Sequence, residues 1–129
     1  SYRLIMVIKN WHNFVQTKDA SILDDLLSEN IIFYSPVVHS PQIGISITKK
    51  YLIAASGVLF NNTFKYINEI HNKHYAICEF ECELNGIYIN GVDIIKWKKH
   101  KITSFKVMVR PLKSILLLKE KMSEILIKD

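Results

Sequence analysis

The sequence predicts an α+β fold: a cone-shaped, curved antiparallel sheet packed by N-terminal helices around an internal cavity, plus a C-terminal helix. Three observations predict it. Apolar residues recur at helical spacing up to Phe60 and at strand spacing from Thr63 to Arg110. Asn85-Gly86 joins two of the alternating runs as a tight hairpin would. After Pro111 the helical period returns. The 129 residues suffice for one domain, 1–129, whose core needs no crosslinks.

Residues 3–17 place Leu4, Val7, Ile8, Trp11, Phe14 and Val15 on one helical face. Asp19 is the expected N-cap of a short second helix carrying Ile22, Leu23, Leu26 and Leu27, which Asn30 ends. Ile31–Tyr34 is β-branched and aromatic enough for a short strand, and the Ser35-Pro36 and Ser40-Pro41 pairs hold the next loop away from helix. Gly44 supplies a turn. Ile47–Phe60 is then a third helix, with Thr48 as a candidate cap and Ile47, Tyr51, Leu52, Ala55, Val58 and Leu59 at its spacing.

Phe64–His71 alternates loosely. Tyr75–Leu84 alternates almost perfectly, with Ala76, Cys78, Phe80, Cys82 and Leu84 on one face and Glu79, Glu81 and Glu83 on the other. Two more long strands, Ile87–Trp97 and Ile102–Arg110, are joined at the lysine-rich tip Lys96–Lys101. Pro111 opens the last helix, with Leu112, Ile115, Leu116, Met122, Ile125 and Leu126 apolar.

A chain 49% hydrophobic and 22% charged has the composition of an ordinary soluble globular protein. No apolar run approaches the roughly 20 residues that span a bilayer. Ser1–Lys9 lacks a small-residue cleavage site and reads as the start of the first helix, so a cytoplasmic location is expected. Cys78 and Cys82 would lie roughly 13 Å apart at about 3.3 Å per strand residue, too far for a disulfide. Their spacing to each other and to His74 does not suit a metal site, and they are expected to be buried free thiols. No cofactor is expected.

The net charge of +5 is unevenly placed: residues 1–95 hold seven Lys/Arg against nine Asp/Glu, and residues 96–129 hold ten against three. The densest basic stretch is a hairpin tip with no aromatic interleaving, so a nucleic-acid partner is not expected.

Asp93 stands out because it falls on the apolar face of its strand, where an ionised carboxylate is costly and is usually partnered or functional. Around it, the order of the elements, Lys18-Asp19, Phe33-Tyr34-Ser35-Pro36, Pro41-Gln42-Ile43-Gly44 and Gly91-Val92-Asp93-Ile94-Ile95 resemble the nuclear transport factor two-like superfamily. Within it the chain is most similar to the SnoaL-like and ketosteroid-isomerase-like members. The resemblance spans nearly the whole chain. It implies a cone-shaped homodimer and functions from isomerases, cyclases, dehydratases and epoxide hydrolases to partner-binding proteins, so fold alone does not give function.

Compared with the ketosteroid isomerases, the chain keeps one of three site positions. Ser35 stands where the resemblance puts the general base, and serine cannot take up a proton there at neutral pH. Trp11 stands where it puts an oxyanion-binding tyrosine; an indole donates one hydrogen bond but is no acid. Asp93 matches the carboxylic acid that an apolar site keeps protonated. The cyclases' acid/base aspartate would fall near Lys106 or Val107, where there is no carboxylate, and where the epoxide hydrolases need an arginine with two aspartates, Asp93 would be alone on these strands.

The alternation and the resemblance give the same inner face: Ala76, Cys78, Phe80 and Cys82, then Gly91, Asp93, Ile95 and Trp97, then Phe105, Val107 and Val109. Tyr88, Met108 and Arg110 would face outward. Trp11, Phe14, Val15, Tyr51 and Ala55 would close the cone, with the Ser35 and Tyr34 hydroxyls and His39 as its further polar groups. The expected ligand-binding set is therefore Trp11, Phe14, Tyr34, Ser35, His39, Tyr51, Cys78, Phe80, Asp93, Trp97, Phe105 and Val107, with Asp93 the candidate catalytic residue. Three functions fit. The protein binds a small apolar molecule around Asp93, or it is a lyase- or isomerase-type enzyme with Asp93 as acid/base, or it is a dimeric protein-interaction module.

Overall fold

The computed structural model describes residues 2–127, with side chains described for residues 6–126. Helix α1 (Tyr2–Thr17) carries Val7, Trp11 and Phe14 into the core at one face. The side chain of Leu4, expected on that face, lies outside the described residues. Lys18 ends the helix in the left-handed conformation, its amide donating to the Phe14 carbonyl at 2.7 Å. Asp19 then accepts from the Ser21 amide and hydroxyl at 3.0 and 2.7 Å, which turns the chain into α2 (Ser21–Leu26).

The second helix is shorter than its apolar spacing suggests. Leu27 already belongs to strand β1 (Leu27–Tyr34), so residues 27–30 are strand rather than the helix end expected at Asn30. Leu26 and Leu27 are both buried because the backbone passes there from helix to strand, which turns consecutive side chains to one side.

The short β2 (Gln42–Ile43) pairs with β1. Gly44, at φ +105°, then starts α3 (Ile45–Leu59) in a conformation that a side chain would strain. Thr48 is not the cap. It lies inside the helix, fully buried, and its hydroxyl oxygen finds no partner among the described residues.

Strands β3 (Lys65–His71), β4 (Tyr75–Leu84), β5 (Ile87–Lys98) and β6 (Lys101–Arg110) follow as an antiparallel meander. Asn85 and Gly86, both at positive φ, close its central hairpin. The full sheet order is β2-β1-β6-β5-β4-β3, and β1 runs parallel to β6, so the sheet is mixed rather than wholly antiparallel. The parallel contact brings Phe33 opposite Phe105 and Tyr34 opposite Lys106.

Helix α4 (Leu112–Ile127) packs against α3 and the ends of β5 and β6. Leu112 and Leu116, two of its apolar residues, are exposed at 69% and 57%. The face turned inward instead bears Ser114 and Leu118, with Met122 and Ile125 beside them in the second core cluster. Ser114 is there because its hydroxyl donates to the Tyr88 carbonyl at 2.6 Å, tying the helix to β5.

Candidate functional site

The cone holds an open pocket of about 150 Å³. The sheet contributes Phe33, Phe80, Asp93, Phe105 and Val107, and α1 contributes Trp11. Tyr51, Ala55 and Leu59 of α3 form one side, with Phe60 and Phe64 just beyond that helix. The loop Ser35–Val38 and the α4 residues Leu118, Lys119, Met122, Ser123 and Leu126 complete it. The exposed Val38 and Lys119 mark where it opens to solvent.

Seven of the twelve residues named from the sequence line this cavity: Trp11, Ser35, Tyr51, Phe80, Asp93, Phe105 and Val107. Five do not. Phe14 is fully buried behind Trp11, their rings 5.5 Å apart. Cys78 and Trp97 face inward but belong to the packed core. Tyr34 follows Phe33 on β1 and therefore points to the opposite side of the sheet, where Lys106 Nζ sits 4.8 Å from its ring centre. His39 is exposed in the loop after β1, on a separate depression shared with Tyr34 and Lys106.

Asp93 is 5% exposed, on the β5 face that meets Cys78 of β4 and Val107 of β6. Its partner is Tyr66, whose hydroxyl donates to Asp93 Oδ2 at 2.6 Å. That hydroxyl in turn accepts from Trp11 Nε1 at 2.8 Å. The indole nitrogen can only donate, so the tyrosine's own hydrogen is committed to the carboxylate. Among the described residues, the other Asp93 oxygen has no hydrogen-bond partner, and Asp93 lines the cavity.

Burial raises the Asp93 carboxyl to about 7, and the Tyr66 hydrogen bond only partly opposes that rise. Burial, with the Asp93 charge next to it, pushes the Tyr66 hydroxyl well above its usual range. Near neutrality Asp93 thus exchanges a proton readily while Tyr66 keeps its own. A proton on Asp93 sits on the oxygen that Tyr66 leaves free.

Tyr66, the hydrogen-bond partner of Asp93, is absent from the set expected from the sequence. Between Tyr66 and Asn68 the pairing of β3 with β4 shifts by one residue, so Tyr66 lies opposite Phe80 and Glu69 opposite Cys78. The bulge breaks the alternation that would have marked the tyrosine as inward-facing.

Ser35 lines the cavity, but its hydroxyl oxygen accepts from the Val37 and Val38 amides at 3.0 and 3.3 Å. It shapes the loop. Gly91 leaves room for the Phe80 ring and the neighbouring β6 backbone: a Cβ there would come within 2.7 Å of the Met108 carbonyl oxygen and 2.8 Å of Phe80 Cε2. The Phe80 ring lies over that bare backbone and stacks on Phe64, 5.2 Å away. Cys78 and Cys82 are free and buried, and burial raises both thiols, Cys82 to about 11. Among the described residues there is no group of His, Cys, Asp and Glu able to hold a metal, and no helix long and apolar enough to cross a membrane.

No protein-family model and no curated protein matches this sequence. Solved structures do. A steroid delta-isomerase from Pseudomonas aeruginosa superposes with a TM-score of 0.92 at 25% identity, over 99% of this chain and 94% of that one. An uncharacterized protein with a cystatin-like fold from Silicibacter pomeroyi gives 0.88 at 24% identity, over 95% and 86%. A nuclear transport factor two-like protein of unknown function from Mesorhizobium loti gives 0.75 at 14% identity, over 86% and 93%. The chain has the nuclear transport factor two-like, ketosteroid-isomerase-like superfamily fold.

Proposed function

We propose that the protein binds a small, largely apolar molecule in the cone and that Asp93 orients the molecule's hydrogen-bond-accepting oxygen. The observation that carries this reading is the open cavity of about 150 Å³ with one buried carboxyl on its wall, bonded through a single oxygen to Tyr66. A cavity near this volume with apolar walls accommodates a benzene-sized molecule. A carbonyl oxygen next to protonated Asp93 would accept a hydrogen bond from the carboxyl oxygen that Tyr66 leaves free.

Titrations of the protein with cyclohexanone and with methylcyclohexane, followed by tryptophan fluorescence since Trp11 lines the wall, test this reading. Cyclohexanone should bind more tightly, and Asp93→Leu should erase the difference. Equal binding of the two by the unaltered protein would remove Asp93 from the ligand's recognition.

A second reading, a lyase- or isomerase-type enzyme with Asp93 as acid/base, is favoured by a carboxyl poised at about 7 on the cavity wall. It also draws on the likeness to a protein described as a steroid delta-isomerase. Two features weigh against a steroid-type proton shuttle. Ser35 replaces the base that the resemblance leads one to expect, and its oxygen is occupied by two amides. Among the described residues, Asp93 is the single carboxylate lining the cavity. One acid-base group contributes typically 10²–10⁴-fold, so slow exchange of a bound ketone's α-protons is the activity within reach. Deuterium wash-in to cyclohexanone, compared between the protein and Asp93→Asn, measures it; equal rates would exclude this reading.

We also propose that the protein is a homodimer joined at the outer face of the sheet. Ile70, Ile77, Tyr88 and Met108 are 74%, 45%, 48% and 49% exposed there, apolar side chains that a second copy of the chain would cover. Sedimentation should show a dimer, and Met108→Glu a monomer; a monomeric parent protein would overturn the proposal.

A further inference from the structure

The cavity has two polar ends of different character. Asp93 lies at the buried end, bonded to Tyr66. Lys119 and Ser123 lie at the open end, four residues apart and hence one above the other on α4. Between them the walls are aromatic and aliphatic: Phe33, Phe60, Phe80, Phe105 and Leu118.

Among the described residues, Lys119 is the only cationic side chain on the cavity wall, and no carboxylate lies within ion-pair distance of it. Lys119 lines an apolar wall and is itself exposed, so its ammonium can offer up to three donors to an anion at the mouth. Ser123 lines the same wall one turn on, where its hydroxyl can add a fourth.

Resting on the binding reading above, we infer that the ligand is a small organic acid whose carboxylate is held at the mouth by Lys119 and Ser123 while its ring-sized apolar body and a second, neutral oxygen reach inward to Asp93. The orientation follows from charge. A carboxylate turned inward would be buried beside Asp93, against like charge and without a cation. Turned outward, it stays partly hydrated and meets the ammonium. The size follows from the cavity, whose enclosed part holds about one ring, so a fused multi-ring body would leave most of its surface in water.

The test uses a cyclohexanone bearing a propanoate side chain, its methyl ester, and the Lys119→Gln variant, a change at an exposed side chain. The acid should bind the unaltered protein about three- to tenfold more tightly than the ester, the range expected for a partly exposed charge-assisted contact. That preference should shrink as salt rises from roughly 0.05 to 0.5 M and vanish in Lys119→Gln. Equal binding of acid and ester by the unaltered protein would overturn the acid assignment yet leave the cavity reading intact. The same acid preference in Lys119→Gln would overturn the role given to Lys119. Binding of neither compound would overturn the cavity reading and this inference with it.

Discussion

Replacing Asp93 by asparagine isolates the energetic consequence of burying that carboxyl. In the folded protein the group holds its proton up to about pH 7, whereas in the unfolded chain it releases it near the ordinary value of 3.8. Below pH 3.8 both states are protonated and the stabilisation from the neutral acid is fully present. Between 3.8 and about 7 only the unfolded state has ionised, so it binds fewer protons and stability falls as pH rises. Above about 7 both states are ionised and the loss is complete. At about 1.4 kcal/mol per pH unit, the interval corresponds to about 4 kcal/mol.

The introduced asparagine would still accept from Tyr66 through its amide oxygen and would titrate nowhere. The variant should therefore match the parent within about 1 kcal/mol near pH 4 and exceed it by up to about 4 kcal/mol at about pH 8. In urea denaturation, that is a midpoint higher by about 2 M for a slope of about 2 kcal/mol per molar. The carboxylates Asp19 and Glu79, held below their usual range by hydrogen bonds, act in the opposite direction but equally in both proteins. A stability difference that does not vary with pH, or a variant weaker than the parent in mildly alkaline buffer, would refute the reasoning.

Two other substitutions probe the cone. Gly91→Ala should destabilise the protein by about 1–3 kcal/mol, since the added methyl meets the Phe80 ring and a backbone carbonyl; thermal melts and ligand titrations together measure it, and the displaced ring should weaken binding. Thr48→Val should stabilise by about 1 kcal/mol, because it removes a fully buried hydroxyl whose oxygen has no partner among the described residues, and chemical denaturation at fixed pH reads the change.

Much of this architecture is legible in the residues because β4, β5 and β6 alternate cleanly. Ala76, Cys78, Phe80 and Cys82 are all buried, as are Asp93, Ile95, Trp97 and Phe105. The period therefore located Asp93 on the inner wall. It could not locate Tyr66, because one extra residue in β3 resets the face and a local pattern cannot show where a bulge falls. It could not assign β1 either: Phe33 and Tyr34 are both aromatic, and only the parallel pairing with β6, far off in sequence, decides which one faces the cavity.

The last helix illustrates a different limit. Its leucines and isoleucines run nearly all round, so spacing offers several candidate faces, and Leu112 and Leu116 are exposed. The inner face is selected by Ser114, a polar residue that a search for apolar stripes passes over. Lys119 and Ser123 escaped notice for the same reason, since their place at the mouth depends on how that helix is turned.

A crystal structure of the protein soaked with cyclohexanone tests the central claim most directly. The binding account predicts the ring in the cavity between Phe80 and Phe105, with its carbonyl oxygen about 2.7–2.8 Å from the Asp93 oxygen that Tyr66 leaves free. An empty or collapsed cavity under saturating ketone, or a ring bound with its oxygen turned away from Asp93, would contradict it.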